Sequence, residues 1–344
     1  MAKRIDLLTV PATYVDDVFI ARKDEMVILG DHPNTSGMPL VDLGIDVRKI
    51  APDFNPRHPR QNTYVPNVID MSTRDGSVYL KHGWTDMQSQ FNLRDLYQKT
   101  QEGSKEREIL ETRVNPVGAI MVTTATSEDG QNYILAEMRS KNVQVPGKVM
   151  PAPAGGWEGL LTEKPVLPGK SEPVWRDVYS NKVSIDTMGD AIQIEAYEET
   201  GMLRGDYSKP KLTGIGRDLW MAFNPTLFYM TESNLTFEQL KERARTAPEA
   251  AEHELTFGII ADEEGVSKFL LEERDERNKT LPDVDFKGQN IGTGDAAMLA
   301  WGWNTFGITW SSETVKAMES KRDLHVRRTR SYPRDEVLDV SEVA

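Results

Sequence analysis

The chain has 344 residues, a formal net charge of -13, no cysteine and a hydrophobic fraction of 38%. That length points to two domains or one domain with long extensions, and the hydrophobic fraction excludes a wholly disordered chain. The acidic charge argues against nucleic acid or an anionic membrane as main partner, and the lack of cysteine removes disulfides, thiolate zinc sites and thiol nucleophiles.

The opening Met1–Leu8 lacks the apolar core of a signal peptide, and no apolar run reaches the roughly 18 residues of a spanning helix, so a soluble, cytoplasmic protein is expected. The apolar runs Val18–Ala21 and Met26–Leu29 bracket Arg22–Glu25, the pattern of a hairpin. Gly30–Pro39 is turn-rich, and Pro52–Pro66 reads as an irregular loop carrying Arg57, His58 and Arg60, either a solvated patch or a phosphate contact. Val78–Leu80 reads as a strand and Asn92–Arg113 as an interrupted helix.

A second unit begins at Asn115. Val117–Thr124 and Asn132–Arg139 are strands joined by the turn Ser127–Gly130, and Val149–Gly159 is a strand entering a glycine-rich bend. Strands are expected at Pro210–Gly216, Thr226–Met230 and Leu255–Ile260, the last preceded by Glu249, Glu252, His253 and Glu254. Helices are expected at Phe237–Ala244, Val266–Asn278 and Asp295–Trp303. The aromatic set Trp301, Trp303, Phe306 and Trp310 suits core packing or stacking on a base, and residues from Lys321 form a tail. The divisions expected are 1–113, 114–320 and 321–344.

The stretch Ala191–Leu203 carries the chemistry. It reads as a helix stopping at Gly201, with Glu195, Glu198 and Glu199 at i, i+3 and i+4 on one face. Like charges so placed repel, and a hard divalent cation such as Mg²⁺ or Mn²⁺ would turn them into a site, while a solvated acidic face is the other reading. No His-Glu-x-x-His, Gly-x-Ser-x-Gly or Walker lysine loop occurs.

Glu195-Ala196-Tyr197-Glu198-Glu199-Thr200-Gly201-Met202 resembles the second half of the Nudix hydrolase signature, G-x5-E-x7-R-E-U-x-E-E-x-G-U, where U is a bulky apolar residue. The order of hairpin, Ala154-Gly155-Gly156, acidic helix and later strands is similar too, from about Asn115 to Trp310. Ile194 stands where the family has Arg, Asp186 where it has its first Glu, and Ser180 where it has Gly. Gly155 or Gly156 fits that glycine better, given a loop insertion of about two dozen residues, since loop growth is thermodynamically cheap.

The resemblance implies an α+β fold, a Nudix-type α/β/α sandwich with a mixed sheet, plus an N-terminal α+β extension that helps form a homodimer or completes the pocket. It also implies a metal-dependent pyrophosphohydrolase acting on a small nucleoside diphosphate derivative of the ADP-ribose or nucleotide-sugar type. Glu195, Glu198, Glu199 and the Ala154 carbonyl would hold Mg²⁺ or Mn²⁺. Gly155, Gly156, Trp157 and Glu158 would line the substrate pocket, and Glu198, Glu252 and Glu254 are the catalytic candidates. The alternative is a Nudix-fold binding or regulatory module without turnover. A diphosphate isomerase is disfavoured, because that chemistry usually employs a cysteine.

Overall fold

The computed structural model describes residues 6–8, 15–20, 26–30, 64–74, 77–86, 99–101, 103–106, 117–140, 147, 149–156, 185–218, 224–271 and 292–321. These form a mixed open sheet with helices, an α+β fold. The main sheet contains β1 (Asp6–Leu8), β2 (Val15–Ile20), β6 (Gly118–Thr126), β7 (Asn132–Arg139), β8 (Val149–Pro151), β9 (Ala154–Gly156), β10 (Lys211–Asp218), β11 (Asn224–Glu232) and β12 (His253–Ile260). Its order is β1-β2-β10-β11-β6-β7-β12, with β8 added on β7 and β9 on β6. The β11–β6 pair is parallel and the other pairs are antiparallel. A separate three-stranded sheet joins β3 (Met26–Gly30), β5 (Ser77–Asp86) and β4 (Tyr64–Arg74) in that order.

β6 is an interior strand of the main sheet, flanked by β11 and β7. Ala119 to Thr123 are all buried, so both of its faces are covered, which is why this segment reads as a continuous apolar run. Ile120 and Val122 join an apolar cluster with α3 (Glu263–Leu271), α4 (Gly292–Phe306) and α5 (Ile308–Lys321). On β7, Ile134, Ala136 and Met138 join the same cluster, so the alternation of a strand sends Leu135, Glu137 and Arg139 to the opposite face. There α1 (Ile185–Thr200) packs on β6 and β9, and α2 (Phe237–Arg245) on β6 and β12. Burial of an Ile or Val such as these stabilises the fold by about 1.5–3 kcal/mol per side chain.

Several expectations are corrected. Val18–Ala21 and Met26–Leu29 do not form a hairpin: β2 pairs with β1 and β10, whereas β3 runs parallel to β5 in the other sheet. The link Arg22–Glu25 lacks the Asn-Gly or Asp-Gly chemistry that locks a tight turn. Residues up to 113 thus contribute both an edge of the main sheet and the second sheet. β4 starts inside the expected Pro52–Pro66 loop, whose Arg57, His58 and Arg60 lie outside the described residues. Most of the helix expected at Asn92–Arg113 also lies outside them.

Val149–Gly156 makes two short strands separated by Ala152 and Pro153 rather than one. The aromatic region holds two helices, α4 and α5, which part at Gly307 with φ +98°. Trp301, Trp303 and Trp310 are buried, Phe306 stands edge-on to Trp301 and Trp310, and Trp310 Nε1 donates to Ser267 Oγ at 3.0 Å. These rings are core rather than a base-stacking surface. Among the described residues no helix is long and apolar enough to cross a membrane.

Candidate metal centre

Helix α1 is anchored by Ile192, Ile194 and Ala196, all buried. Its end is closed by Gly201 at φ +67°, whose N–H donates to Tyr197 O at 2.9 Å, while the Met202 N–H reaches Ala196 O at 3.1 Å. A residue with a side chain would be strained there, because only glycine adopts this left-handed turn freely.

The three glutamates of α1 do not act as one set. Glu199 is 3% exposed and turns inward: its Oε2 accepts the Ala154 N–H at 2.6 Å, and its Oε1 faces Arg139 Nη1 at 3.9 Å and His253 Nε2 at 3.6 Å. Glu195 and Glu198 stay half-buried and converge with Glu249, their ligand atoms within 4.8 Å of one another. Glu249 reaches that position because its backbone N–H donates to Glu198 O at 2.8 Å, tying the 3₁₀ turn Ala250–Glu252 to α1.

Glu195 lies directly on β9. A methyl group built on Gly155 would meet the Glu195 carboxyl carbon at 2.1 Å and its two oxygens at 2.2 and 2.3 Å. Gly155 is therefore the space that the carboxylate occupies. Three carboxylates of this kind form an all-oxygen donor set, which suits Mg²⁺ or Mn²⁺. Burial, and then the charge of Glu252, raise the proton affinity of Glu249 above the ordinary carboxylate range.

Behind this surface lies a second group, Glu137, Glu199 and His253, with ligand atoms again within 4.8 Å of one another. Burial drives Glu137 well up, with the Glu199 charge adding to it. Burial likewise pushes Glu199 up to about 8, against the Ala154 N–H and Arg139, which favour its charge. His253 is lowered to about 4 by burial and then by Arg139. The two acids therefore favour the protonated form and the imidazole the neutral one.

Arg139 bridges the two levels, with Nη2 at 3.2 Å from Glu252 Oε2 as well as Nη1 facing Glu199. It enters from β7 and gives Glu199 a guanidinium neighbour, whereas the residue of α1 just before Glu195 is the buried Ile194.

Of the remaining expected residues, Glu252 stands beside the site on Arg139. Glu254 is exposed and belongs to neither carboxylate group. The reason is an irregularity in β12: His253 pairs with Arg139 and Leu255 with Met138, so Glu254 has no partner residue. Strict alternation from Thr256, which donates to Glu137 Oε1 at 3.5 Å, would put Glu254 on this face; the bulge puts His253 there instead. Ala154 offers its N–H to Glu199, and the exposed Gly156 pairs with Gly118 at the strand edge. Trp157 and Glu158 lie outside the described residues.

Glu137, Arg139, Glu249 and His253 were not among the residues expected at the site. A signal existed for Glu137, a carboxylate inside the apolar run Ile134–Met138. No protein-family model matches the chain, and no curated protein does.

Proposed function

We propose that this chain is a metal-dependent pyrophosphohydrolase acting on a nucleoside diphosphate linked to another moiety, of the ADP-ribose or nucleotide-sugar type, on a Nudix-type fold. The observation that carries the reading is the convergence of Glu195, Glu198 and Glu249 over Gly155, with Glu199 locked to Ala154 behind them. The donor set and the cradle fit Mg²⁺ or Mn²⁺, held by Glu195, Glu198 and Glu249. When bound, the cation supplies neutralisation of charge on the two phosphates.

The chain's own residues do the rest. Glu199 fixes α1 against β9, so that Glu195 and Glu198 keep their positions. Glu252, held by Arg139, takes a proton from the attacking water. The water oxygen bonds to one phosphorus, the bridging P–O bond breaks, and its electron pair leaves with the second phosphate. Helix α1 presents its C-terminal end here, where the dipole disfavours anions, so the diphosphate depends on the cation for its binding.

The buried Ile194 favours a second reading, a binding or regulatory module on the same fold, because α1 carries no arginine of its own. Arg139 beside Glu199 weighs toward catalysis. The full chain incubated with nucleoside diphosphate derivatives and Mg²⁺ or Mn²⁺ separates the two. The hydrolase reading expects metal-dependent release of a nucleoside monophosphate, abolished by Glu195→Gln. Tight binding of the same compounds without release would establish the module instead.

A further inference from the structure

We propose that Glu137, Glu199 and His253 form a second, buried cation site selective for a first-row transition metal over Mg²⁺. It is separate from the Glu195, Glu198 and Glu249 set and does not rest on the hydrolase reading. Three strands of observation meet there.

The first is composition. Two carboxylates and an imidazole come from three different elements, β7, α1 and the start of β12, and their ligand atoms lie within 4.8 Å of one another. An imidazole in an otherwise oxygen set suits cations from Fe²⁺ to Zn²⁺, whereas Mg²⁺ prefers oxygen and keeps several of its waters.

The second is orphaned polarity. Glu137 and the His253 side chain are 1% and 5% exposed, yet Glu137 Oε2 and both ring nitrogens of His253 have no hydrogen-bond partner. Nδ1 lies 3.0 Å from Glu137 Oε2, and Nε2 lies 3.6 Å from Glu199 Oε1, beyond hydrogen-bond distance. Buried polar atoms in native proteins are almost always satisfied, and a cation bound by Glu137 Oε2 and one ring nitrogen of His253 would satisfy two of these three.

The third is construction. The β12 bulge departs from the regular ladder and places His253 on the same face as Glu137. Bulges recur next to functional sites, where they re-aim a side chain. Arg139 adjoins the site, with Nη1 3.9 Å from Glu199 Oε1 and Nη2 3.2 Å from Glu252 Oε2, and a divalent ion would answer the two buried carboxylates.

The test uses the full-length chain stripped with chelator, loaded with Co²⁺ and then challenged with a large excess of Mg²⁺. The expected result is one Co²⁺ retained per chain, with visible absorption stronger than that of aqueous Co²⁺. Glu137→Gln and His253→Asn should each weaken retention at least tenfold, and Glu195→Gln should leave it unchanged. Circular dichroism establishes which variants are folded, and Glu137→Gln, nearly isosteric, keeps the test decisive if His253→Asn is not. Complete displacement by Mg²⁺ from the wild type, or full retention in folded Glu137→Gln, overturns the proposal. Retained Co²⁺ without pyrophosphate hydrolysis would leave this site standing and remove the hydrolase reading; hydrolysis without retained Co²⁺ would do the reverse.

Discussion

Gly155→Ala tests the proposed metal centre at the point where geometry is tightest. The added methyl carbon would lie 2.1 Å from the Glu195 carboxyl carbon, where ordinary contact begins at 3.4 Å, so the carboxylate must retreat by about 1.3 Å. Oxygen ligands sit about 2.0–2.1 Å from Mg²⁺ and tolerate departures of about 0.2 Å, so a retreat of that size removes Glu195 from the shell. Outer partners of a metal site already cost about 10–100-fold in affinity when removed, so loss of a direct ligand should weaken Mg²⁺ binding by at least about 100-fold, or roughly 2.7 kcal/mol. Stability should move by less than about 1 kcal/mol, because the clashing group is the far end of a half-buried, rotatable side chain. Isothermal titration with Mg²⁺ reads the first quantity and a melting curve the second. An Mg²⁺ affinity within threefold of wild type, with an unchanged melting temperature, would refute the assignment of Glu195 as a ligand.

Three further outcomes follow from the same geometry. Ile194→Arg, which would add the arginine of the signature that α1 resembles, should not raise the proposed activity. It forces a guanidinium into a site 6% exposed and should destabilise the fold by about 2–4 kcal/mol, measured by urea denaturation. Arg139→Ala removes the neighbour of both Glu199 and Glu252 and should cost about 1–3 kcal/mol, while Arg139→Lys recovers only part because one ammonium cannot span both carboxylates as a guanidinium does. The pH dependence has a definite sign. Glu199 is raised from an ordinary 4.5 to about 8, so its contribution is fully present below pH 4.5 and is lost as pH rises through about 8. His253, lowered from 6.5 to about 4, contributes stability above pH 6.5 that is lost as pH falls through about 4. In chelator-treated protein, Glu199→Gln should therefore flatten the decline between about pH 5 and 8, followed by melting temperature, and a slope unchanged by that substitution would contradict the burial argument.

Much of the fold was legible in the chain because its signals are local. The alternating and continuous apolar runs of β6, β7, β10, β11 and β12, and the Asp129-Gly130 turn between β6 and β7, depend on neighbours a few residues apart. The stop of α1 at Gly201 is local too, as is the spacing that puts Glu195, Glu198 and Glu199 on one helix. The division of labour among those three was not legible. It depends on which side of α1 meets β9, and only packing of Ile192, Ile194 and Ala196 settles that. The partnering of β2 and β3 escaped for a similar reason, since a short apolar run specifies burial without naming a partner.

The amino-acid sequence by itself determined that an acidic helix ends at Gly201 close to a glycine bend, and that three carboxylates lie at i, i+3 and i+4 along it. Tertiary structure alone decided which carboxylates meet in the candidate site. It withdrew Glu199 into the interior, replaced it with Glu249 through a backbone hydrogen bond to Glu198, and supplied Arg139 from the sheet. It also used one bulge in β12 to exchange Glu254 for His253. A strand's side chains point to opposite faces with a period of two, so a single unpaired residue reverses which one faces the site, and no local pattern records where that slip occurs.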